Sequence, residues 1–162
     1  MFKKLLVPAL VFIFTGFPVS AAMVSFLVVE TGIENGVDAG EYSTLWEDGL
    51  MGAFFDAGHI VSNGAVIRLA EFPQKEFPDE IRSDYDEASV SGAESLVLII
   101  VEYKVENKKI KPASVLVRIF STSTQELQYQ EKFPAGDGAT LEEEYKSAKQ
   151  VGKAVARHLK VR

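Results

Sequence analysis

The chain has 162 residues, 47% hydrophobic and 25% charged, which is the composition of a folded globular protein and not of a disordered one. Its formal net charge of −6 disfavours nucleic acid and anionic lipid, both of which reward clustered Lys and Arg. It has no Cys, which excludes disulfides, thiolate metal sites, thiol nucleophiles and the lipid-bearing cysteine of a bacterial lipoprotein.

Met1-Phe2-Lys3-Lys4 is a short cationic start, and Leu5 to Phe17 is apolar apart from Thr15 and Gly16. Pro18 breaks any helix, and Val19-Ser20-Ala21-Ala22 offers small residues to a peptidase. Residues 1–22 therefore read as a cleavable secretory signal peptide, cut after Ala21 or Ala22. A membrane anchor would need about 20 apolar residues, and this run is shorter and interrupted. Roughly 140 residues then remain, enough for one α/β domain over 23–162 with its own core. Loss of Lys3 and Lys4 takes its charge from −6 to −8.

Val24 to Val29 is a short apolar run closed by Glu30-Thr31-Gly32, the pattern of a strand buried on both faces. Ile33 to Glu41 reads as a loop, with Asn35-Gly36 and Gly40 as turn signals. Thr44-Leu45-Trp46-Glu47 has capping-box spacing and predicts a helix start. Leu45, Trp46, Leu50, Ala53, Phe54 and Ala57 form its apolar stripe, and Gly58 closes it. His59-Ile60-Val61 predicts a short strand, and Asn63 to Phe72 a short helical or irregular stretch. After the prolines at 73 and 78, Asp79 to Ser91 predicts a helix with an acidic first turn, ended by Gly92-Ala93.

Three strand signals follow. Leu96 to Val105, a turn at Glu106-Asn107-Lys108-Lys109, Ser114 to Phe120, and Glu126 to Phe133 read as an antiparallel meander. Thr140-Leu141-Glu142-Glu143 is a second capping box. It opens a terminal helix with the stripe Leu141, Tyr145, Ala148, Val151, Val155 and Leu159. Its acidic start and basic end, with Arg157, Lys160 and Arg162, suit the helix dipole. The fold class is α+β (mixed α/β) in the order β-α-β-α-β-β-β-α, with one mixed sheet, packed helices and a C-terminal helix.

His59 and His158 are the only histidines. Asp56, His59 and Ser62 are triad residue types, but they straddle one helix end, whereas a triad is assembled from separate rigid elements. His59 reads as a helix-end residue beside the negative pole of the dipole, and His158 as a surface or groove residue. Asp84-Tyr85-Asp86-Glu87 resembles the start of a calcium loop, but Ala88 and Ser89 stand where a ligand and a Gly are needed. These carboxylates read as a solvated helix face. Gly136-Asp137-Gly138 precedes a helix without the Lys of a phosphate loop, and its acidic neighbours would repel phosphate. Trp46 and Phe54 fit the core stripe, while Phe55 lies off it, over a second core surface or a partner site.

The order of these elements resembles the amino-terminal domain of the Tol-Pal protein TolB and the related fold of the curli secretion protein CsgG and the penicillin-binding-protein activator LpoB. The likeness rests on the opening strand Val24 to Val29, the stretch Asp48 to Val61 in which a helix ends in Gly58 before a short strand, the passage Ser91-Gly92-Ala93-Glu94 into Ser95 to Ile100, and the alternation from Ser114 to Phe133. The group's first strand often ends in Pro-Phe, and here it ends in Glu30-Thr31. TolB's propeller and the lipobox cysteine of CsgG and LpoB have no counterpart, so anchoring and pore formation do not carry over. The resemblance implies a non-enzymatic periplasmic domain that binds another envelope protein.

No catalytic, cofactor-binding or metal-binding residue is assigned, no cofactor is expected, and neither nucleic acid nor stable membrane insertion after cleavage is expected. The alternatives are a small periplasmic hydrolase, which needs a nucleophile beside a base, and a small-ligand carrier, which needs a concave pocket. The loop Ile33 to Tyr42 is a candidate recognition surface, with simple connection as the other reading.

Overall fold

The computed structural model describes residues 21–33, 40–73, 75, 77–106, 109–136 and 140–159. Outside them lie positions 1–20 of the leader, 34–39 of the loop after the first strand, Asn107 and Lys108 of the hairpin turn, Asp137 and Gly138 of the glycine loop, and Lys160 and Arg162.

The first strand, β1 (Met23–Thr31), is apolar on both sides, and Val24 and Phe26 through Val29 have no exposed surface. A strand of this kind must sit inside a sheet with cover on each face. It pairs in parallel with β4 (Ser95–Glu106) from Val24↔Ser95 to Thr31↔Glu102. On its other edge it pairs in parallel with β2 (Ile60–Asn63). β4 continues through the antiparallel meander of β5 (Lys109–Ser121) and β6 (Leu127–Pro134), giving the order β2-β1-β4-β5-β6.

The stretch Asn63 to Phe72 departs from the sequence expectation. It contributes a two-residue strand, β3 (Ile67–Arg68), beside Val29 and Glu30. The reason is that β1 outlasts β2, and Glu30 would otherwise keep an unpaired carbonyl that the Leu69 N–H now satisfies at 3.0 Å.

Helix α1 (Gly40–Asp56) begins before Thr44, so the first capping box is not a cap. Its Glu47 is buried instead and accepts a bond from Asn63 Nδ2 at 3.2 Å. The helix ends as expected at Gly58, with φ +91°. There the Gly58 and His59 N–H groups return to the carbonyls of Phe55 and Phe54, a Schellman closure. Helix α3 (Leu141–Ala156) starts at the second capping box, where Thr140 Oγ1 accepts the Glu143 N–H at 3.2 Å.

α1 and α3 lie together on one face of the sheet. Trp46, Leu50, Phe54, Ala148 and Val155 pack there on Val24, Phe26, Val97, Ile99, Val117 and Ile119. The two helices approach through glycine. A Cβ on Gly49 would lie 2.5 Å from the Ala148 Cβ, and one on Gly152 would lie 2.9 Å from the Leu50 Cα.

The opposite face carries Leu27, Val29, Leu96, Leu98, Ile100 and Phe120. It is covered by a 3₁₀ turn (Asp79–Ile81) and the short helix α2 (Arg82–Val90), a break in what the sequence suggested as one helix. Tyr85 fixes this layer. Its hydroxyl donates to the carbonyls of Ser121 and Thr122, and Phe77 stands edge-on to both Tyr85 and Phe120.

Because a Cβ at Gly152 would meet the short Ala53 Cβ at 2.7 Å and the Leu50 backbone at 2.9 Å, the crossing has no easy way to yield. Gly152→Val is expected to cost about 1–3 kcal/mol of stability, the range of core overpacking. Lys153→Ala, on the exposed flank of α3, should leave the midpoint of chemical denaturation unchanged.

Candidate functional site

Ligands of open α/β sheets bind beyond the carboxyl ends of the parallel strands. In this protein that is where β1 and β4 run out, and two polar arrangements meet there, one on each face of the sheet.

On the α1 face the side chain of Glu30 is fully buried. Ser43, in the first turns of α1, donates its hydroxyl to Glu30 Oε1 at 2.5 Å. The Tyr103 hydroxyl of β4 lies 2.6 Å from Ser43 Oγ. Since Ser43 has one hydroxyl proton and gives it to the carboxylate, Tyr103 is the donor of that second bond. Arg68 Nε donates to Glu30 Oε2 at 2.5 Å, with its own side chain more than half exposed. Burial pushes the Tyr103 phenol well above its ordinary range against the pull of Ser43, and the charges of Glu30 and Glu144 push it the same way. β1, β3, α1 and β4 are tied together at the root of the 33–42 loop. Gly32 is required there, with φ +75° and room for a Cβ only 2.5 Å from the Tyr103 carbonyl oxygen.

Glu144, in the first turns of α3, is a second buried carboxylate. Its Oε1 accepts the Trp46 indole N–H at 2.8 Å. Its Oε2 faces the backbone of Gly136 without making a hydrogen bond of ordinary geometry. Burial raises the carboxyl above the usual range, and the Trp46 N–H opposes this only in part.

On the α2 face a cleft of about 630 Å³ opens between the sheet and the segment Ala70 to Pro73. Ile100 and Leu116 form part of its lining, with Glu102, Ser114 and Lys132 at the polar side. Arg118 holds the covering segment in place. Its Nε donates to Gln130 at 2.7 Å, its guanidinium lies 5.2 Å from the Phe72 ring centroid, and it donates to the Lys75 carbonyl at 3.1 Å. Glu102 accepts from Ser114 at 2.6 Å and Lys132 at 3.0 Å, which hold its carboxyl below the usual range. Beyond α2, the side chains of Glu102, Gln128, Gln130 and Lys132 are exposed on this face.

The residues singled out in the sequence are dispersed. Asp56 pairs with Lys149 at 2.9 Å. His59 is buried against Phe54 with Nδ1 unpartnered, and burial lowers its pKa. Ser62 lies half-buried on β2. His158 is exposed and stacks on Tyr129 with ring centroids 4.4 Å apart. Asp86 and Glu87 are solvated as expected, whereas Asp84 is half-buried at a 140 Å³ pocket beside Gly64, where burial raises its pKa. Trp46 and Phe54 are core, and Phe55 is 68% exposed. The loop Ile33 to Tyr42 is described only at its ends. Sequence reasoning passed over Glu30, Ser43, Tyr103 and Glu144. The one signal was the carboxylate of Glu30, placed directly after the apolar run Phe26 to Val29.

No protein-family model matches the chain, and no curated protein matches it. Solved structures do. The PelC dodecamer from Paraburkholderia phytofirmans is similar at a TM-score of 0.50 and 12% identity, over 88% of this chain and 90% of that one. TolB from Acinetobacter baumannii is similar at 0.37 and 12% identity, over 85% of this chain and 27% of TolB. The LpoB C-terminal domain from Escherichia coli is similar at 0.38 and 15% identity, over 72% and 84%. TolB and LpoB, the group the sequence resembles, are thus among the solved structures like this chain. No helix of the described residues is long and apolar enough to cross a membrane.

The buried carboxyl of Glu144 makes the stability of the protein depend on pH. Its folded pKa lies above the ordinary 4.5, so ionisation at neutral pH opposes folding, and the penalty is relieved as pH falls through the folded pKa. Glu144→Gln keeps an acceptor for Trp46 and removes the charge. Thermal unfolding should show this variant more stable than the native protein at pH 7, with the gap narrowing towards pH 4.5.

Proposed function

We propose that this protein is an exported, non-enzymatic accessory domain of the bacterial envelope that binds another envelope protein in the periplasm. The observation that carries this reading is the half-covered sheet. One face is sealed by α1 and α3, while the other leaves a cleft and a polar surface on β4, β5 and β6 beyond the reach of α2. Its polar groups are already bonded to one another, as Glu102 is to Ser114 and Lys132, which suits recognition better than turnover. The fold is one that envelope-associated proteins use, and the apolar leader at residues 5–17 supports export. A small-ligand carrier is the second reading, favoured by the cleft volume of about 630 Å³, within the range of ligand pockets.

Ala22 bears on where the leader ends. It is buried, and its carbonyl accepts the Ile60 N–H at 3.0 Å, whereas Ala21 is exposed. A cut after Ala21 keeps this anchor and a cut after Ala22 discards it. Mass spectrometry of protein from its native host is expected to find a chain beginning at Ala22. Full-length protein in the membrane would contradict export as a cleaved product.

The binding reading is tested by a photo-crosslinking residue at Leu116, compared with one at Phe55. Crosslinking in living cells should join a single envelope protein to the Leu116 position and not to the Phe55 position. His59→Gln combined with His158→Gln should leave that crosslink and the cellular phenotype intact. Loss of the phenotype in a normally folded double variant would restore the hydrolase.

A further inference from the structure

Where α2 covers β1 and β4, the sheet face beneath it is apolar, with Leu27, Val29, Leu96, Leu98 and Ile100. It turns polar toward the edge. Ser25, two residues before Leu27, shares this face by strand alternation. In the parallel register of β1 and β2 it stands directly beside Ser62. Both serines are half-buried, and neither hydroxyl has a hydrogen-bond partner among the described residues. An unbonded hydroxyl is costlier to bury than a methyl group, so packing alone does not account for two of them side by side.

A pocket of about 140 Å³ opens over the two serines. Leu27, Ala88 and Leu96 give it apolar walls, and Asp84 and Glu87, one turn apart on α2, reach it from the helix side. The one charge that acts on Asp84 is that of Glu87, and neither carboxylate forms an ion pair among the described residues. Gly64 leaves the pocket its room. A Cβ there would stand 3.4 Å from Asp84 Oδ1 and 3.5 Å from Leu27 Cδ1, in the gap between carboxylate and wall. The space is close to that of an engineered cavity of about 150 Å³ that takes one benzene ring.

We infer that this pocket binds a primary ammonium carried on an aliphatic stem, as in a lysine side chain or a free diamine. Such an ammonium has N–H donors and no acceptor. The pocket offers the reverse, with the carboxylates of Asp84 and Glu87 on one side and the free hydroxyl oxygens of Ser25 and Ser62 on the other. The stem lies along Leu27, Ala88 and Leu96, as lysine stems do on apolar surface. Calcium fits less well, since it takes about six to eight oxygen ligands and no group of three acidic or histidine side chains suited to a metal gathers among the described residues. The pocket lies near the start of β1, whereas the cleft lies at its end, so this assignment goes beyond the protein-binding reading and stands or falls apart from it.

The test is NMR titration of the isotope-labelled protein with n-butylammonium, with n-butanol, tetramethylammonium and Ca²⁺ as controls. Butylammonium should shift the amide signals of Ser25, Ser62, Gly64 and Asp84 saturably. It should bind about tenfold or more tighter than butanol or tetramethylammonium, as expected for hydrogen bonds to charged groups. Asp84→Asn should remove that advantage. Gly64→Ala leaves every charge in place and should still weaken binding by narrowing the pocket, with dispersed spectra showing both variants folded. Absence of a saturable shift, equal binding of butanol, or unchanged affinity in Asp84→Asn overturns the inference. Tighter binding of Ca²⁺ at the same signals overturns it in favour of a metal site. Nα-acetyl-lysine amide compared with diaminobutane then separates the two sources. Tighter binding of the lysine derivative assigns the ammonium to a partner protein, tighter binding of the diamine assigns it to a free amine, and either result upholds the pocket's chemistry.

Discussion

β1 and β4 are apolar on both faces, and the rest of the architecture answers to that. A pair of strands such as Val24 to Val29 and Leu96 to Val101 cannot leave either side to water, since each buried aliphatic side chain is worth roughly 1.5–3 kcal/mol. Two helices on one face meet half of this demand. They do so closely because Gly49 and Gly152 let the α1 and α3 backbones approach to where a single methyl group would collide. The other face is served by α2, which has nine residues, and by the segment that Tyr85, Phe77 and Arg118 pin down. That cover is sufficient for Leu96, Leu98 and Ile100 and stops there. The cleft is what remains of a demand met only in part.

Buried carboxylates gather at the same end of the sheet, where the loops leave the scaffold. Glu30 is stabilised by three partners, Ser43, Arg68 and, through Ser43, Tyr103. Exposure of Arg68 weakens its share by solvent screening. Glu144 has a single strong partner in Trp46, and its carboxyl is pushed up by burial. Glu30 is thus a joint that fixes where the 33–42 loop departs, and Glu144 is a buried carboxyl whose ionisation its surroundings oppose. Neither carboxylate faces the α2 side, so the network orders the ends of β1 and β4 without lining the cleft as an acid or base.

Much of this was legible in the sequence where one local rule decides the outcome. The mostly apolar run Val24 to Val29 gave away β1, the meander followed from alternation, and Thr140 and Gly58 act as helix caps just where turn chemistry puts them. The rules failed where a long-range partner competes. Thr44 and Glu47 have capping-box spacing, but Glu47 is claimed by Asn63, 16 residues away, and the helix starts earlier. β3 is two residues long and exists only because Glu30 lies beside it, which no window of Asn63 to Phe72 can reveal. Gly49 and Gly152 look like weak points within their helices and are in fact the surface of contact. Glu30 and Glu144 carry the pattern of ordinary polar residues, and their burial depends on Ser43 and Trp46, which reach them from another element.

Strand length links the two features of the half-covered face. Had β4 and β5 ended with their neighbours, the sheet would finish flush at Glu102 and Ser114, and the cleft would open directly to solvent. Because they continue through Tyr103↔Pro112 to Glu106↔Lys109, the sheet extends past both neighbours, with Lys104 and Lys111 on the cleft side. A ribbon of two strands gains little from its own packing, so its outer residues are free to be chosen for something other than the core. The histidines illustrate the converse. His59 is held in the floor of the α1 end and His158 is stacked on Tyr129, so each is spent on packing far from the ends of β1 and β4.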